Sequence, residues 1–437
     1  MSATPNDLPA PPPLTTLQQT ALDELLIHLG VKPTQLHAGP PPAKRRKTLL
    51  APAPKRWRNA ASFFMRGINL VVNISCVLDD GAAARWHPNA EDIESELPSE
   101  ILEQRNAHKE LFERLMLHVA DLEPVLRYIY AYHNNAWSLL VSEFNHVARQ
   151  TRQNDSNDFK FRFHYLVPNP SIDVLDPPLN TCESKEDRGF AHEWTRRLLL
   201  PFRDRFCLPP YVFKSAGLAP GVAPPDTRTA RQKERGERIL ERIDRKTYKP
   251  SDKLFQLFLY DETLRDKTDP TRGLLRSYII VRGLRHIWTS PQTAINGLPA
   301  KGIPRRCNAT THKAFRMTPE MVAYVVDHLY CMMSTYEWNK CPRNDELYED
   351  ILSLFNGENA DDEWAGDTLI YLQSQVFGHY RGGQPADHQS DDSDSDDSDD
   401  CDSMDAIKLI NDTRRVERAQ AALRAAAAAH AAAPAAL

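Results

Sequence analysis

Hydrophobic residues recur every three or four positions near the start of the chain. The apolar stripe consists of Leu17, Ala21, Leu22, Leu25, Leu26 and Leu29. Side chains at this spacing lie on one face of an α-helix. Thr15 or Thr16 can cap such a helix at its first turn, and Gly30 can end it. The pattern therefore predicts a short helix over residues 17–29, which either packs on the core or binds a partner.

The same periodicity predicts a series of helices through the middle of the chain. They cover residues 101–119, 122–150, 186–200, 228–245, 252–260, 273–288, 318–334, 345–355 and 363–377. Thr318 followed by Pro319 is a typical helix start, with Thr as the cap and Pro in the first turn. We therefore predict an all-α fold with at most a minor β element.

Residues 159–167 read FKFRFHYLV, with aromatic and basic residues in alternation. A period of two predicts a half-buried strand with its aromatic side chains facing inward. Aromatic rings beside cations can also stack on single-stranded bases. We favour the core interpretation.

Composition divides the chain into four parts. They are a Pro-rich, basic, disordered segment with one short helix (1–59), a helical domain with a flexible linker at 214–227 (60–380), an acidic disordered tract (381–405) and an Ala-rich helix or tail (406–437). The prolines of residues 38–58 are expected to exclude regular structure, so that the globular part begins at Ala60. The acidic tract cannot bury enough apolar surface to fold.

A block of basic residues gives the clearest functional signal. It consists of Lys44, Arg45, Arg46, Lys47, Lys55, Arg56 and Arg58, with no acidic residue between them. Basic runs of this kind are typical of nuclear-import signals. The block therefore predicts an import receptor as a partner and the nucleus as the location, with the cytoplasm as the alternative. A solvated basic linker that binds polyanions weakly would have the same composition.

The acidic tract carries ten Asp residues between positions 387 and 405. Ser393, Ser395 and Ser398 lie among them and are candidates for phosphorylation, which would add further negative charge. Such a tail can bind basic proteins such as histones or shield the chain's own basic segments. It can equally be a solubilising spacer.

The seven cysteines are scattered and form no CxxC or CxH pair. We therefore expect neither a disulfide framework nor a structural zinc site. The start of the sequence lacks a signal-peptide layout, and no apolar run reaches the roughly 20 residues of a membrane span. We expect an intracellular protein with no cofactor, no metal and no membrane contact.

Three residues are candidates for a catalytic or phosphate-binding role: Arg188, His192 and Arg197. We favour a structural role, in which the histidine is a satisfied core residue and the arginines pair with acids or cap carbonyl groups. The chain also lacks the GxxxxGK[ST], GxGxxG, GxSxG and HExxH motifs. A non-enzymatic role is therefore favoured.

Several motifs in order resemble one family. The first is Asp187–Pro201 (DRGFAHEWTRRLLLP), followed by Phe258–Tyr260 (FLY), Arg272–Ser277 (RGLLRS), Thr289–Pro291 (TSP), Met317–Tyr324 and Phe377-Gly378. Together they resemble a domain-of-unknown-function family of mushroom-forming basidiomycete fungi, over roughly residues 95–380. Arg196 and Leu200 depart from the glycine and the cysteine of that family's pattern. The resemblance implies a fungal source but no chemistry.

Taken together, the sequence predicts a non-enzymatic nuclear module that binds protein or nucleic acid through charged segments. Two alternatives stay open. One is a nucleic-acid-processing enzyme with a non-standard site, linked to mobile elements, and the other is a scaffold without nucleic-acid contact.

Overall fold

A computed structural model describes most of the chain between residues 13 and 378. The described ranges are 13–31 and 51–378, with gaps at 88–89, 91–94, 96, 169–178, 180–184, 206, 210–225, 249–253, 265–268, 300–301, 305, 337, 339–340, 342–343 and 358–359. The chain divides into two compact units, Met1–Asn154 and Asp155–Leu437. The division falls within one long helix.

The described part of unit 1 is helical. Its helices are α1 (Thr16–His28), α2 (Ala53–Gly67), α3 (Ile74–Trp86), α4 (Ser99–His118), α5 (Glu123–Tyr132) and the first part of α6 (Asn134–Leu166). Helix α1 begins with a capping box, in which the Thr15 side chain accepts from the Gln18 backbone N–H and the Gln18 side chain accepts from the Thr15 N–H. This satisfies two N–H groups that the helix itself cannot pair.

Large aromatic side chains form the core of unit 1. The Trp57 ring lies 4.7 Å from that of Phe144, and Phe64 packs edge-on against the same ring at 5.9 Å. Trp57 also donates to the Leu140 carbonyl at 3.3 Å, so its buried N–H is paired. These contacts hold α2 against α6.

The described part of unit 2 is also helical. Its helices after α6 are α7 (Glu193–Leu199), α8 (Phe202–Arg205), α9 (Ala230–Asp244), α10 (Tyr278–Trp288), α11 (Pro291–Asn296), α12 (Asn308–His312), α13 (Pro319–Met333), α14 (Asn344–Asn356) and α15 (Asp362–Phe377), with a 3₁₀ turn at Leu257–Leu259. Within the described ranges, β-type backbone pairing is limited to two isolated antiparallel bridges, one between Pro201 and Gln256 and one between Tyr260 and Leu274. The predicted all-α fold is confirmed.

Helix α13 forms the centre of unit 2, because every residue from Glu320 to Met333 is buried. The predicted start of this helix is confirmed, since the Thr318 side chain accepts from the Met321 N–H and Pro319 occupies the first turn. Helix α10 packs closely against it. A Cβ atom on Gly283 would lie 2.6 Å from Cγ1 of Val325, so any larger residue here would force the neighbouring side chains or the helices to shift.

The strand predicted for residues 159–167 is wrong, because helix α6 continues through Leu166. Phe159 and Phe163 are buried at helical spacing, with 0% and 1% exposure, whereas Phe161 is 56% exposed. The burial pattern therefore follows a period of four rather than two, and the alternation of aromatic and basic residues was misleading. The core interpretation of Phe159 and Phe163 agrees with their burial.

Residues 53–58 were expected to lack regular structure, and this is also wrong. Helix α2 begins at Ala53 with Pro54 in its first turn, where a missing N–H costs nothing. Trp57 is fully buried within it.

Four further helix predictions need correction. The helix predicted over 122–150 is two helices that break at His133, where the backbone has left the helical region. Only Glu193–Leu199 is helical in the segment 186–200, and among the described residues 254–260 helical structure is limited to the 3₁₀ turn. The helix predicted over 273–288 begins only at Tyr278.

Several predicted features lie outside the described residues. They are Lys44–Lys47, most of the linker 214–227, the acidic tract with its three serines, and the Ala-rich tail. The domain bounds drawn from composition stay a prediction. Within the described ranges, no helix is both long and apolar enough to cross a membrane.

Candidate functional site

An open cleft in unit 1 is bordered by the end of α1, the first turns of α2 and the middle of α6. It has a volume of about 540 Å³. Three side chains that carry or can carry positive charge line it: His28, Lys55 and Arg58. Among the ten described residues of the lining, none is Asp or Glu. The cleft therefore presents cations to any ligand that enters.

The remaining walls of the cleft are mostly uncharged and polar. Three amide side chains line it, those of Asn59, Gln150 and Asn154. Two hydroxyl groups, of Ser62 and Thr151, lie 2.9 Å apart and hydrogen-bond across the contact between α2 and α6. Each amide can donate and accept hydrogen bonds at once. The cleft is thus suited to a polar, anionic ligand rather than an apolar one.

One carboxylate beside the cleft bears on its charge. Oε1 of Glu143 lies 2.6 Å from Nε2 of His28 and 4.0 Å from Nε of Arg58. The carboxylate is much closer to the histidine, and the Arg58 side chain stays 52% exposed. Exposed ion pairs contribute little free energy. Arg58 can therefore turn to a bound anion, because little free energy is lost when it moves away from Glu143.

The three described residues of the basic block lie on α2 and have different surroundings. Lys55 and Arg58 are exposed and line the cleft. Arg56 instead forms an ion pair with Asp121, and burial lowers the pKa of its guanidinium while Glu24 partly offsets that effect. The structure thus brings two of the predicted basic residues to the cleft and turns the third to another partner.

The three candidates of unit 2 have structural partners. His192 caps α7, since its Nδ1 accepts from the backbone N–H of Trp194 at 3.1 Å. Arg188 lies 4.2 Å over the Phe163 ring and donates to the Met332 carbonyl at 3.2 Å. Arg197 donates to Glu193 and to the Pro209 carbonyl. These contacts agree with the structural role that the sequence favoured for the three residues, and the absence of a catalytic role stays a prediction.

In unit 2 a buried histidine pairs with a partly exposed carboxylate. Nε2 of His286 lies 2.7 Å from Oδ2 of Asp158, and the histidine side chain is only 2% exposed. Arg162 donates to the other oxygen of the same carboxylate at 2.6 Å. Burial opposes ionisation of Asp158, but the hydrogen bonds from His286 and Arg162 outweigh it and hold its pKa below the usual value. This pair joins α6 to α10.

A cluster of three or more His, Cys, Asp or Glu that could hold a metal ion does not occur in the described part of the chain.

Comparison with known proteins places the chain in one group. A family described as a family of unknown function, DUF6698, matches residues 146–377. The chain belongs to this family. No curated protein matches the chain, and neither does any solved structure.

The DUF6698 match begins within α6 and ends with α15. It therefore covers Val147, Gln150, Thr151 and Asn154 of the cleft, whereas the cleft residues on α1 and α2 lie outside the matched range.

Residues of the matched region close two helix ends. Trp194 and Tyr278 both donate to the Val167 carbonyl just after α6, at 3.3 and 2.7 Å, and Arg282 donates to the carbonyls on either side of it. Gly189 adopts a positive φ of 61°, and its N–H donates to the Met333 carbonyl at the end of α13, at 2.8 Å. Gly189 and Trp194 belong to the segment Asp187–Pro201, so these two residues of that segment serve the fold.

Sequence reasoning missed most of the cleft. Lys55, Arg58 and Ser62 recur at helical spacing on α2, and Gln150 with Asn154 does so on α6. This periodicity could have shown two polar helix faces. It could not have shown that they face each other, because the two segments are far apart in sequence.

Proposed function

We propose that this chain is a non-enzymatic nuclear protein that binds nucleic acid through its phosphate groups, with the cleft of unit 1 as the contact site. The observation that carries the proposal is the pairing of exposed Lys55 and Arg58 on one face of α2, above a lining without acidic residues. Lys and Arg are the residues that neutralise phosphates in nucleic-acid complexes.

A carboxylate caps the start of α2. The Ala53 N–H, the first of the helix, donates to Oε2 of Glu24 at 2.9 Å, and Pro54 in the first turn has no N–H. The partial positive charge of this helix end is therefore already compensated in part, and the attraction for a phosphate comes from the charges of Lys55 and Arg58 themselves.

The basic run Lys44–Lys47 precedes α2 in the sequence and supports the proposal in two ways. Its four cations can add phosphate contacts of their own to those of Lys55 and Arg58. It is also the part of the block that we assign to an import receptor. Such receptors bind extended basic peptides, whereas Lys55, Arg56 and Arg58 are helical.

The acidic tract suggests a counterpart to this binding. Its aspartates, and phosphates on Ser393, Ser395 and Ser398, would attract basic proteins such as histones. A nuclear protein with one basic and one acidic binding segment could hold nucleic acid and basic proteins together. If the tract shields the basic block instead, changing its aspartates to asparagine should tighten DNA binding.

A salt titration of binding tests the proposal. Fluorescence anisotropy of a labelled oligonucleotide should show affinity that falls steeply with salt, since bound phosphates release counterions. The double variant Lys55→Ala/Arg58→Ala should bind about 10-fold more weakly, with a slope shallower by roughly 1.4 on a single strand, because each phosphate contact contributes about 0.7.

The matched control removes two positive charges elsewhere on unit 1. Arg127 and Arg149 are exposed and do not line the cleft. Arg127→Ala/Arg149→Ala should retain most of the affinity. An equal loss in both double variants would refute the cleft as the contact site, and an absence of binding would favour a scaffold. Metal-dependent degradation of the probe would favour the alternative of a nucleic-acid-processing enzyme.

The nuclear location has a separate test. A reporter fused to residues 38–60 should accumulate in the nucleus, and changing Lys44–Lys47 to alanine should abolish the accumulation. Changing Lys55 and Arg58 should leave it intact. A diffuse reporter would refute the import signal.

A further inference from the structure

The size of the cleft restricts what can fill it. Its volume of about 540 Å³ falls in the range of roughly 300–1,000 Å³ that is typical of small-molecule sites. A nucleic-acid duplex is a wide convex cylinder, so its backbone could touch Lys55 and Arg58 at the surface but could not enter. Only a single protruding unit can occupy the interior.

The chemistry of the walls fits the parts of a nucleotide other than its phosphate. Asn59 follows Arg58 on α2, and Gln150 and Asn154 lie one turn apart on α6. Amide groups hydrogen-bond the Watson–Crick edges of bases, and these edges are available in single strands but are already paired in a duplex. Hydroxyl groups such as those of Ser62 and Thr151 can pair with a sugar hydroxyl.

The arrangement of charge gives the bound unit a direction. The permanent cations of the lining, Lys55 and Arg58, both lie on α2, whereas α6 supplies amides and a hydroxyl but no cation. A phosphate would therefore lie against α2, and a base would extend toward α6. The ten described lining residues include no Phe, Tyr or Trp, so hydrogen bonds rather than large stacking platforms must hold the base.

We infer that the cleft takes one unpaired nucleotide unit, held by Lys55 and Arg58 at the phosphate and by Asn59, Gln150 and Asn154 at the base. This inference rests on the proposed function and narrows it to single-stranded nucleic acid. The same chemistry is present in a free mononucleotide, so the experiment must distinguish the two sources.

The test compares a labelled single strand with a hairpin duplex of the same sequence. The wild type should bind the single strand at least about 10-fold more tightly, in line with the cost of unpairing a base. Asn59→Ala/Gln150→Ala should reduce this preference while it leaves the salt slope unchanged, because neither amide neutralises a phosphate. Both side chains are at least partly exposed, so the variant should fold.

Competition identifies the unit that is recognised. AMP should displace the single strand, whereas adenosine and inorganic phosphate at the same concentration should not. Displacement by AMP far below millimolar concentration would assign the cleft to a free nucleotide, and displacement only at millimolar concentration would assign it to the strand.

Two different failures can be told apart. Equal or tighter binding of the duplex, with a salt slope that still depends on Lys55 and Arg58, would overturn the inference but leave the proposed function intact. Loss of that dependence, or an absence of binding to either probe, would overturn the proposed function as well.

Discussion

Replacement of Arg282 by methionine should destabilise unit 2 by removing the cap at the end of α6. One guanidinium nitrogen of Arg282 donates to the carbonyls of Tyr165, Leu166 and Pro168, at 3.1, 3.3 and 2.6 Å. The last carbonyls of a helix have no partner within the helix. A single side chain of α10 therefore satisfies several of the groups that α6 leaves unpaired.

The expected loss of stability follows from the number of hydrogen bonds that the Arg282 side chain makes. A nitrogen with two hydrogens can make at most two full hydrogen bonds, and a bond from a charged donor contributes about 1.5–3 kcal/mol. The guanidinium also lies 5.7 Å from the Tyr278 ring, which adds about 0.5 kcal/mol. Methionine retains the contacts of the apolar stem. We therefore expect a loss of at least about 3.5 kcal/mol in the free energy of unfolding, compared with about 1 kcal/mol for Tyr278→Phe, which removes one neutral bond.

Native-state hydrogen exchange is the appropriate assay, because two compact units need not unfold together. Amides in α10 and in the α6 segment 155–166 should lose protection in Arg282→Met. Arg282→Lys should recover about half of the loss, since it keeps one charged donor. A change below about 0.5 kcal/mol, or equal effects of methionine and lysine, would refute the reasoning.

Two other perturbations follow from the packing of unit 2. Gly283→Ala should lower the free energy of unfolding by about 1–3 kcal/mol, because the new Cβ would lie 2.6 Å from Val325. The control is Gly366→Ala on α15, where no atom lies within 4 Å of the new Cβ, and it should be neutral or stabilising. Thermal denaturation of the two variants compares them directly. The pKa of Asp158 is lowered, so its contribution to stability is present above the unfolded value of 3.8 and is lost as the pH falls through the lower folded value. Urea unfolding of Asp158→Asn should therefore depend less on pH below about 4 than that of the wild type, and an unchanged dependence would contradict the role of the pair with His286.

The helical architecture could be predicted because its signals are local. Thr15 and Thr318 cap the helices that they were expected to cap, and the apolar spacing of α13 follows directly from the sequence. Pro54 shows the limit of such rules, since proline excludes a helix interior but is tolerated in a first turn.

The error at residues 159–167 has a tertiary cause. Aromatic residues at every second position satisfy a strand pattern, yet α6 extends through them because Phe159 and Phe163 pack one turn apart in the core of unit 2. Phe159 contacts the rings of His286 and His328, which lie more than 100 positions further along the chain. No local pattern contains those partners.

The candidate site could be predicted only in part. The basic block drew attention to Lys55, Arg56 and Arg58, but only the fold separates the two that line the cleft from the one that pairs with Asp121. The spacing of Gln150 and Asn154 indicates a polar face of α6, but it does not show what that face meets. Their role depends on the packing of α2 against α6, which the buried contact of Trp57 with Phe144 fixes.

The most direct test of the account is a hydrogen-exchange footprint of the full chain with and without a single-stranded oligonucleotide. We expect the oligonucleotide to protect the backbone amides of residues 53–62 in α2 and 147–154 in α6 from exchange. The variant Lys55→Ala/Arg58→Ala should lose this protection. Protection confined to unit 2, while the oligonucleotide stays bound, would contradict the assignment of the cleft.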